Sequence, residues 1–398
     1  MALLVVSPKN WRRISSAMAS SSSSSSLDNP PSSLSSRTCL ILPSQDSLDC
    51  EIVAQTLLDL KALPHVSSFE EAIQYNHDEL THSLTLEPYS YSSGSGLVNT
   101  FAIALQSLSV PDNTTGRRGR KKSVRARSRA PPRMKPLFID FMDVIAKRHS
   151  VSKGGGGGEL IIKAMGSGFK SSKETTITTT TPSVWDMTTG FGQDSITIAM
   201  AGAAPHVTMM ERDDIVSTLV SDALRRLSLV AELEGDARDV RLARDLSNRM
   251  TLMHGDGISL GTHILNHKDN GSGNVSVGVD RYSSISIMPD ICYLDPMFPP
   301  RTKSSAVKKK MQLLHGLFDD IDESTRLEEE RTLLDVALSV AQSRVVVKRP
   351  IHAPPLGGLT PKGEERGVRL ELLGKEVQQP SFQVKGSINR FDVYLTQG

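Results

Sequence analysis

The sequence predicts an α/β fold built on a parallel sheet, with a small N-terminal subdomain in front of it. Two observations carry that prediction. From residue 184 onward, short β-branched or apolar runs at 184–187, 207–210, 250–253, 291–294 and 344–347 alternate with stretches of helical composition, the pattern of βαβ units. Each of the first four runs is also followed by acids or glycines, at Asp186 to Asp194, Glu211-Arg212, Asp256-Gly257 and Asp295-Pro296. A parallel sheet places its ligand crevice at those strand ends. The 398 residues would allow two or three folded units at ~150 residues each. Hydrophobic residues are only 38% and aromatics 5%, with Ser-, Thr-, Gly- and Arg-rich stretches filling the difference, so one sizeable core is expected.

In chain order, no acidic residue precedes Asp28, while Lys9, Arg12 and Arg13 lead into an unbroken serine run at 20–26. That composition fits an organelle transit peptide over residues 1–36, plastid rather than mitochondrion; the alternative is a disordered tail on a cytoplasmic protein. Residues 37–110, with a strand candidate at 39–42 and a helix candidate at 49–63, form the expected N-terminal subdomain. Over 111–136 the charge becomes one-sided, with Arg117, Arg118, Arg120, Lys121 and Lys122 at its centre. Such a block stays solvated and disordered, either contacting phosphates or unspecific. The α/β domain is expected over 137–398. Its first segment, 137–141, reads as a strand, and Lys147 and Arg148 lead towards five glycines at 154–158 that no G-K-[ST] follows, which excludes a Walker loop.

Composition excludes several classes. Cys39, Cys50 and Cys292 share no CxxC spacing, which argues against a zinc site or a disulfide scaffold and for a reducing compartment. The formal net charge of +2 announces no nucleic-acid partner, so any basic surface must be local. No apolar run approaches the ~18 residues of a membrane span.

Asp186-Met187-Thr188-Thr189-Gly190-Phe191-Gly192-Gln193-Asp194 places a glycine turn between strand and helix, where backbone amides can approach a ligand closely. A ligand-free αβ turn is the alternative. Asp at a strand end before G-x-G is the form used by class I S-adenosylmethionine methyltransferases, in which the carboxylate and turn hold the methionine end. Glu211, with Arg212 behind it, is placed to accept both ribose hydroxyls, and Asp256, before Gly257, to accept from the adenine amino group. Asp295-Pro296-Met297-Phe298 stands where amino-group methyltransferases carry a D/N-P-P-Y/F tetrad, with Met297 at the third position. There a carboxylate and a proline-fixed carbonyl accept the N–H bonds of an exocyclic amine and orient its lone pair. Phe298 would stack on the base. Asp295, Pro296 and Phe298 are thus the catalytic candidates.

Here the chain resembles the bacterial ribosomal RNA small-subunit methyltransferase J family, the guanine-N2 methyltransferases of 16S rRNA. The resemblance is carried by Tyr293-Leu294-Asp295-Pro296-Met297-Phe298-Pro299, by Lys303 to Met311, by Arg344-Val345-Val346-Val347-Lys348-Arg349-Pro350 and by Arg390-Phe391-Asp392-Val393-Tyr394. It implies a Rossmann-like class I fold, S-adenosylmethionine as cofactor, no metal, and small-subunit rRNA or the assembled subunit as partner. It places the cofactor positions at Gln193, Asp194, Glu211, Arg212, Asp256, Gly257 and Asp295. The family usually has Arg where Gln193 stands and a Ser-Ser pair where Asp256-Gly257 stands. Polar or Gly-rich insertions at 112–135, 170–182 and 266–286 are expected as surface loops. Lys303, Lys308, Lys309, Lys348 and Arg349 follow strands four and five on the crevice side, and with Lys147 and Arg148 they are the candidate rRNA contacts. A solvated helix face is the alternative for the lysine run at 308–310. Two rival functions stay open: amino methylation of another nucleic-acid base, and a ribosome-assembly factor that binds rRNA without turnover.

Overall fold

The computed structural model describes residues 5–6, 38–41, 65–66, 82–107, 135–151, 157–166, 181–201, 205–268, 288–296, 323–358 and 377–396. Several expectations therefore lie outside the described residues: nearly all of 1–36, the helix at 49–63, the basic block up to 134, Phe298, Lys303, Lys308 and Lys309. Before the main domain come β1 (Val5–Val6), β2 (Thr38–Ile41), β3 (His65–Val66), β4 (His82–Ser93) and β5 (Gly96–Ser107). The last four make a sheet in the order β3-β2-β4-β5.

Among the described residues, the buried side chains of the long β4–β5 hairpin join the core of the main domain. Leu84, Val98, Ile103 and Leu105 are buried in one cluster with Ile161, Ile215 and Leu219 of the main domain. Helices α1 (Phe141–Val151) and α2 (Gly157–Met165) follow. The strand expected at 137–141 is a single bridge, Leu137 to Leu105, and a helix begins at Phe141. Asp140 explains the change, because its Oδ1 accepts the backbone N–H of Met142 at 3.0 Å and of Asp143 at 3.2 Å, capping orphan donors of the first turn. Gly157 and Gly158, expected in a loose glycine run, open α2.

The main domain then alternates: β6 (Ser183–Asp186), α3 (Gln193–Ala199), β7 (His206–Glu211), α4 (Asp214–Ala231), α5 (Arg238–Arg249), β8 (Met250–His254), α6 (Gly257–Lys268), β9 (Ile291–Leu294), α7 (Glu323–Val340), β10 (Arg344–Pro350), β11 (Phe382–Lys385) and β12 (Asn389–Leu395). The sheet order is β1-β8-β7-β6-β9-β10-β12-β11. β6 to β10 are mutually parallel where they pair, and β12 lies antiparallel against β10. This is the expected Rossmann-like α/β arrangement. Chain order reverses between β6 and β9, and a crevice opens at such a switch point beyond the strand C-termini. Both faces of the sheet are covered, so consecutive side chains of β9 enter different cores: Ile291 and Tyr293 one, Cys292 and Leu294 the other.

A buried charge cluster fastens the hairpin to α4. Asp222 accepts the Ile103 N–H at 2.9 Å, Arg226 Nε at 2.9 Å and Arg225 Nη2 at 2.8 Å. Arg226 also donates to the Ile139 carbonyl and lies over the Tyr89 ring, 4.6 Å from its centroid. The carboxylate thus satisfies two guanidinium groups and an edge amide at once, as burial of such charges demands.

Candidate active site

The turn after β6 is stitched to its neighbours by short bonds. The Met187 N–H donates to the Tyr293 carbonyl and the Thr189 N–H to the Met210 carbonyl, each at 3.1 Å. Asp186 is only 1% exposed. Its Oδ2 accepts from the Ser195 hydroxyl and its Oδ1 from the Thr188 N–H at 3.2 Å. The side chain therefore braces the turn from beneath, and burial pushes its carboxyl up to about 7. Gly190 and Gly192 have φ of 51° and 67°, the left-handed region that disfavours side chains. A Cβ on Gly192 would come within 3.0 Å of the Phe141 ring, whereas one on Gly190 would meet nothing within 4 Å. The turn thus packs down at Gly192 and opens into the crevice at Gly190.

Glu211, ending β7, reaches across to that turn. Its Oε2 accepts the Gly190 N–H at 2.8 Å and its Oε1 the Asp213 N–H at 2.9 Å. Burial pushes its carboxyl up to about 7. A carboxylate offers about four lone-pair sites, so two backbone donors leave room for a diol. Arg212 points elsewhere, to Glu329 at 3.4 Å on the surface. At the next strand end Asp256 caps α6, its Oδ2 accepting from the Ser259 amide and hydroxyl at 3.1 Å each. Gly257 is required by closeness, since a Cβ there would stand 2.9 Å from the Met187 carbonyl. His254 pairs with Asp214 at 2.8 Å, and that hydrogen bond raises the imidazole above its usual range.

The fourth strand end holds the densest chemistry. Lys348 Nζ lies 2.8 Å from Asp295 Oδ2 and 2.5 Å from Asp194 Oδ2. Asp194 Oδ2 also accepts the Tyr293 hydroxyl at 2.6 Å. The Asp295 N–H donates to Thr188 Oγ1 at 2.6 Å, tying the strand to the glycine turn. Burial holds Asp295 above the usual carboxylate range despite the ammonium beside it. Burial opposes the Lys348 charge, yet Asp295 and Asp194 outweigh it and hold the ammonium above the usual lysine range.

The fold therefore brings Gly190, Asp194, Glu211, Asp256, Gly257, Asp295 and Pro296 to the same ends of the parallel strands, while Asp186 and Gly192 lie buried beneath them. Gln193 starts α3 with its side chain exposed. The proposed rRNA contacts separate. β10 runs three residues beyond the expected strand end, to Pro350, so Lys348 and Arg349 lie inside it and point to opposite faces. Arg349 is 1% exposed, with Nε donating to the Pro354 carbonyl at 3.1 Å and a guanidinium nitrogen 3.7 Å from Glu330. A side chain so enclosed does not meet rRNA phosphates. Lys348 is likewise held by two carboxylates instead of facing a phosphate. Lys147 is exposed and pairs with Asp143 one turn away, and Arg148 belongs to the same helix. The sequence reading missed Thr188, Ser195 and Tyr293. Tyr293 was accessible through period two, because it shares a strand face with Asp295.

Residues 111–371 match the family model described as "Putative SAM-dependent methyltransferase". The chain is 32% identical over 269 residues to Ribosomal RNA small subunit methyltransferase J of Colwellia psychrerythraea, covering 67% of this chain and 72% of that one. Against the protein of that name from Erwinia tasmaniensis it is 35% identical over 237 residues, covering 59% and 74%. Against that of Neisseria meningitidis serogroup C it is 34% identical over 262 residues, covering 66% and 77%. Among solved structures, a SAM-dependent methyltransferase from Neisseria gonorrhoeae superposes with a TM-score of 0.47 at 22% identity, over 91% of this chain and 96% of that one. The match to the family model over most of the α/β domain, together with these relatives, assigns the chain to the ribosomal RNA small subunit methyltransferase J family of S-adenosylmethionine-dependent enzymes.

Proposed function

We propose that this protein methylates the exocyclic N2 of a guanine in small-subunit, 16S-type rRNA. The observation that carries the reading is Asp295, set by β9 at the crevice, tied to the glycine turn through Thr188 and followed by Pro296. The crevice fits S-adenosylmethionine: Gly190 leaves open space where a side chain would stand, and Glu211 keeps acceptor capacity for a diol. In this reading Glu211 holds the ribose, the backbone of 190–194 the methionine end, and the segment at Asp256-Gly257 the adenine. Bound there, the cofactor supplies an electrophilic sulfonium methyl group.

The chain's own residues prepare the amine. The lone pair of guanine N2 is delocalised into the ring, so the amine attacks poorly unless it is oriented. The Asp295 carboxylate and the Pro296 carbonyl accept its two N–H bonds, aim the lone pair and enrich the nitrogen in electron density, an effect felt most in the transition state. Phe298, outside the described residues, is the candidate for stacking on the base. Lys303, Lys308 and Lys309 are candidates for the phosphate contacts that position the rRNA. The serine-rich first 36 residues, without an acid before Asp28, support delivery to an organelle with a bacterial-type ribosome, which a fluorescent fusion of that segment tests.

Single-turnover methyl transfer to unmodified small-subunit rRNA tests the site. Asp295→Asn keeps size and one acceptor oxygen but removes charge, so transfer should fall by roughly 10²-fold or more while the fold persists. A folded Asp295→Asn protein that transfers at the wild-type rate would remove Asp295 from the chemistry.

A further inference from the structure

The feature that neither the family nor the tetrad assigns is the ammonium between the two acids. Asp186 ends β6, Asp194 lies in α3 and Asp295 follows β9; the charges of Asp194 and Asp295 act on Asp186, and that of Asp194 acts on Asp295. From β10, Lys348 Nζ reaches Asp194 and Asp295 together, at 2.5 Å and 2.8 Å. From β9, the Tyr293 hydroxyl donates to the same Asp194 oxygen. Arg349, the next cation, sits on the other face of the sheet with Glu330. Asp186 draws its hydrogen bonds from Ser195 and Thr188. Lys348 is therefore the cation, among the described residues, that bonds directly to the carboxylate facing the amine.

We infer that Lys348 is a positioning residue, whose ammonium, bridging Asp194 and Asp295, holds the Asp295 carboxylate ionised and aimed at the target amine. The inference rests on the proposed function for what Asp295 faces, but the bridge itself is independent of it. A protonated Asp295 would present a donor where the amine needs an acceptor. Burial and the neighbouring acids drive Asp295 towards that protonated form, and Lys348 opposes them at the shortest range. Sheet register sets the bridge: β9 and β10 pair in parallel with Leu294 opposite Val347, which brings positions 295 and 348 side by side.

The test follows the ionisation of Asp295 directly. Protein with ¹³C-carboxyl-labelled aspartate is titrated by NMR, with the Asp295 resonance assigned by its loss in Asp295→Asn. Wild type, Lys348→Met and Lys348→Arg are compared, with single-turnover methyl transfer to small-subunit rRNA measured across the same pH range. In Lys348→Met the Asp295 midpoint should rise by about 1–3 pH units, and the acid limb of the transfer profile should move up with it. Lys348→Arg, which keeps the charge, should stay close to wild type. A purely structural lysine would alter stability but leave the midpoint in place, so an unmoved Asp295 midpoint in folded Lys348→Met overturns the inference. Should Lys348→Met fail to fold, Lys348→Gln, shorter and able to hydrogen-bond without charge, makes the same comparison. If the midpoint moves while wild type transfers no methyl to the rRNA, the hold of Lys348 on Asp295 stands and the substrate reading fails.

Discussion

Replacing Glu211 tests the cofactor half of the crevice. Its two oxygens already accept the Gly190 and Asp213 N–H groups at 2.8 and 2.9 Å, which fixes the carboxylate plane and leaves about two of its four lone-pair sites for the ribose hydroxyls. A hydrogen bond to a charged group contributes about 1.5–3 kcal/mol. One such bond at the low end is already tenfold in affinity, and two approach a hundredfold. Glu211→Ala should therefore weaken S-adenosylmethionine binding by roughly 10- to 100-fold, read by calorimetric titration at pH 8. Glu211→Gln separates ligand contact from turn support. It keeps the shape and one acceptor oxygen, but turns an NH₂ group towards donors, so its loss should be smaller than that of alanine. Burial places the Glu211 carboxyl at about 7, so wild-type affinity should rise between pH 6 and pH 8 as the group ionises, and Glu211→Gln should flatten that rise. Unchanged affinity in a folded Glu211→Ala protein would refute its assignment as the ribose ligand.

Two further outcomes concern stability. The folded-state pKa of Asp186, about 7 against an ordinary 3.8, means the native state binds the proton more tightly, so the stability this group contributes is present at low pH and is lost as pH rises through 7. Asp186→Asn should be the more stable form at pH 8, by up to about 4 kcal/mol at ~1.4 kcal/mol per pH unit, with the gap closing towards pH 4; urea denaturation reads it, and an Asn variant that is less stable at every pH would contradict it. Asp222→Ala strands the buried Arg226 and should cost about 3–5 kcal/mol in the same assay, whereas a loss under about 1 kcal/mol, the scale of an exposed pair, would mean that the hairpin is fastened elsewhere.

Much of the sheet was legible because parallel strands are buried on both faces and read as short β-branched runs. The run at 291–294 coincides with β9, Asp186 and Glu211 close β6 and β7, and Asp295 follows β9 directly. The segment 137–141 misled because five apolar-rich residues fit a strand or a helix start equally. The deciding signal was Asp140, whose side chain caps α1. Lys348-Arg349 misled differently. Read as a basic pair they suggest one surface, but inside a strand consecutive side chains diverge, one to the crevice acids and the other to Glu330. The Asp194–Lys348 contact joins residues 154 positions apart, and only the register of β9 with β10 brings it about. Asp256, read from the sequence as a neighbour of the adenine, also caps α6, a role only the structure shows.

The most direct measurement of the central claim is base-resolved mass spectrometry of unmodified small-subunit rRNA after incubation with the purified protein and isotopically labelled S-adenosylmethionine. The account predicts one labelled methyl group on a guanine, at N2, accumulating roughly 10²-fold more slowly when Asp295→Asn replaces wild type. Label on adenine or cytosine, on another guanine atom, or on no base at all would contradict it.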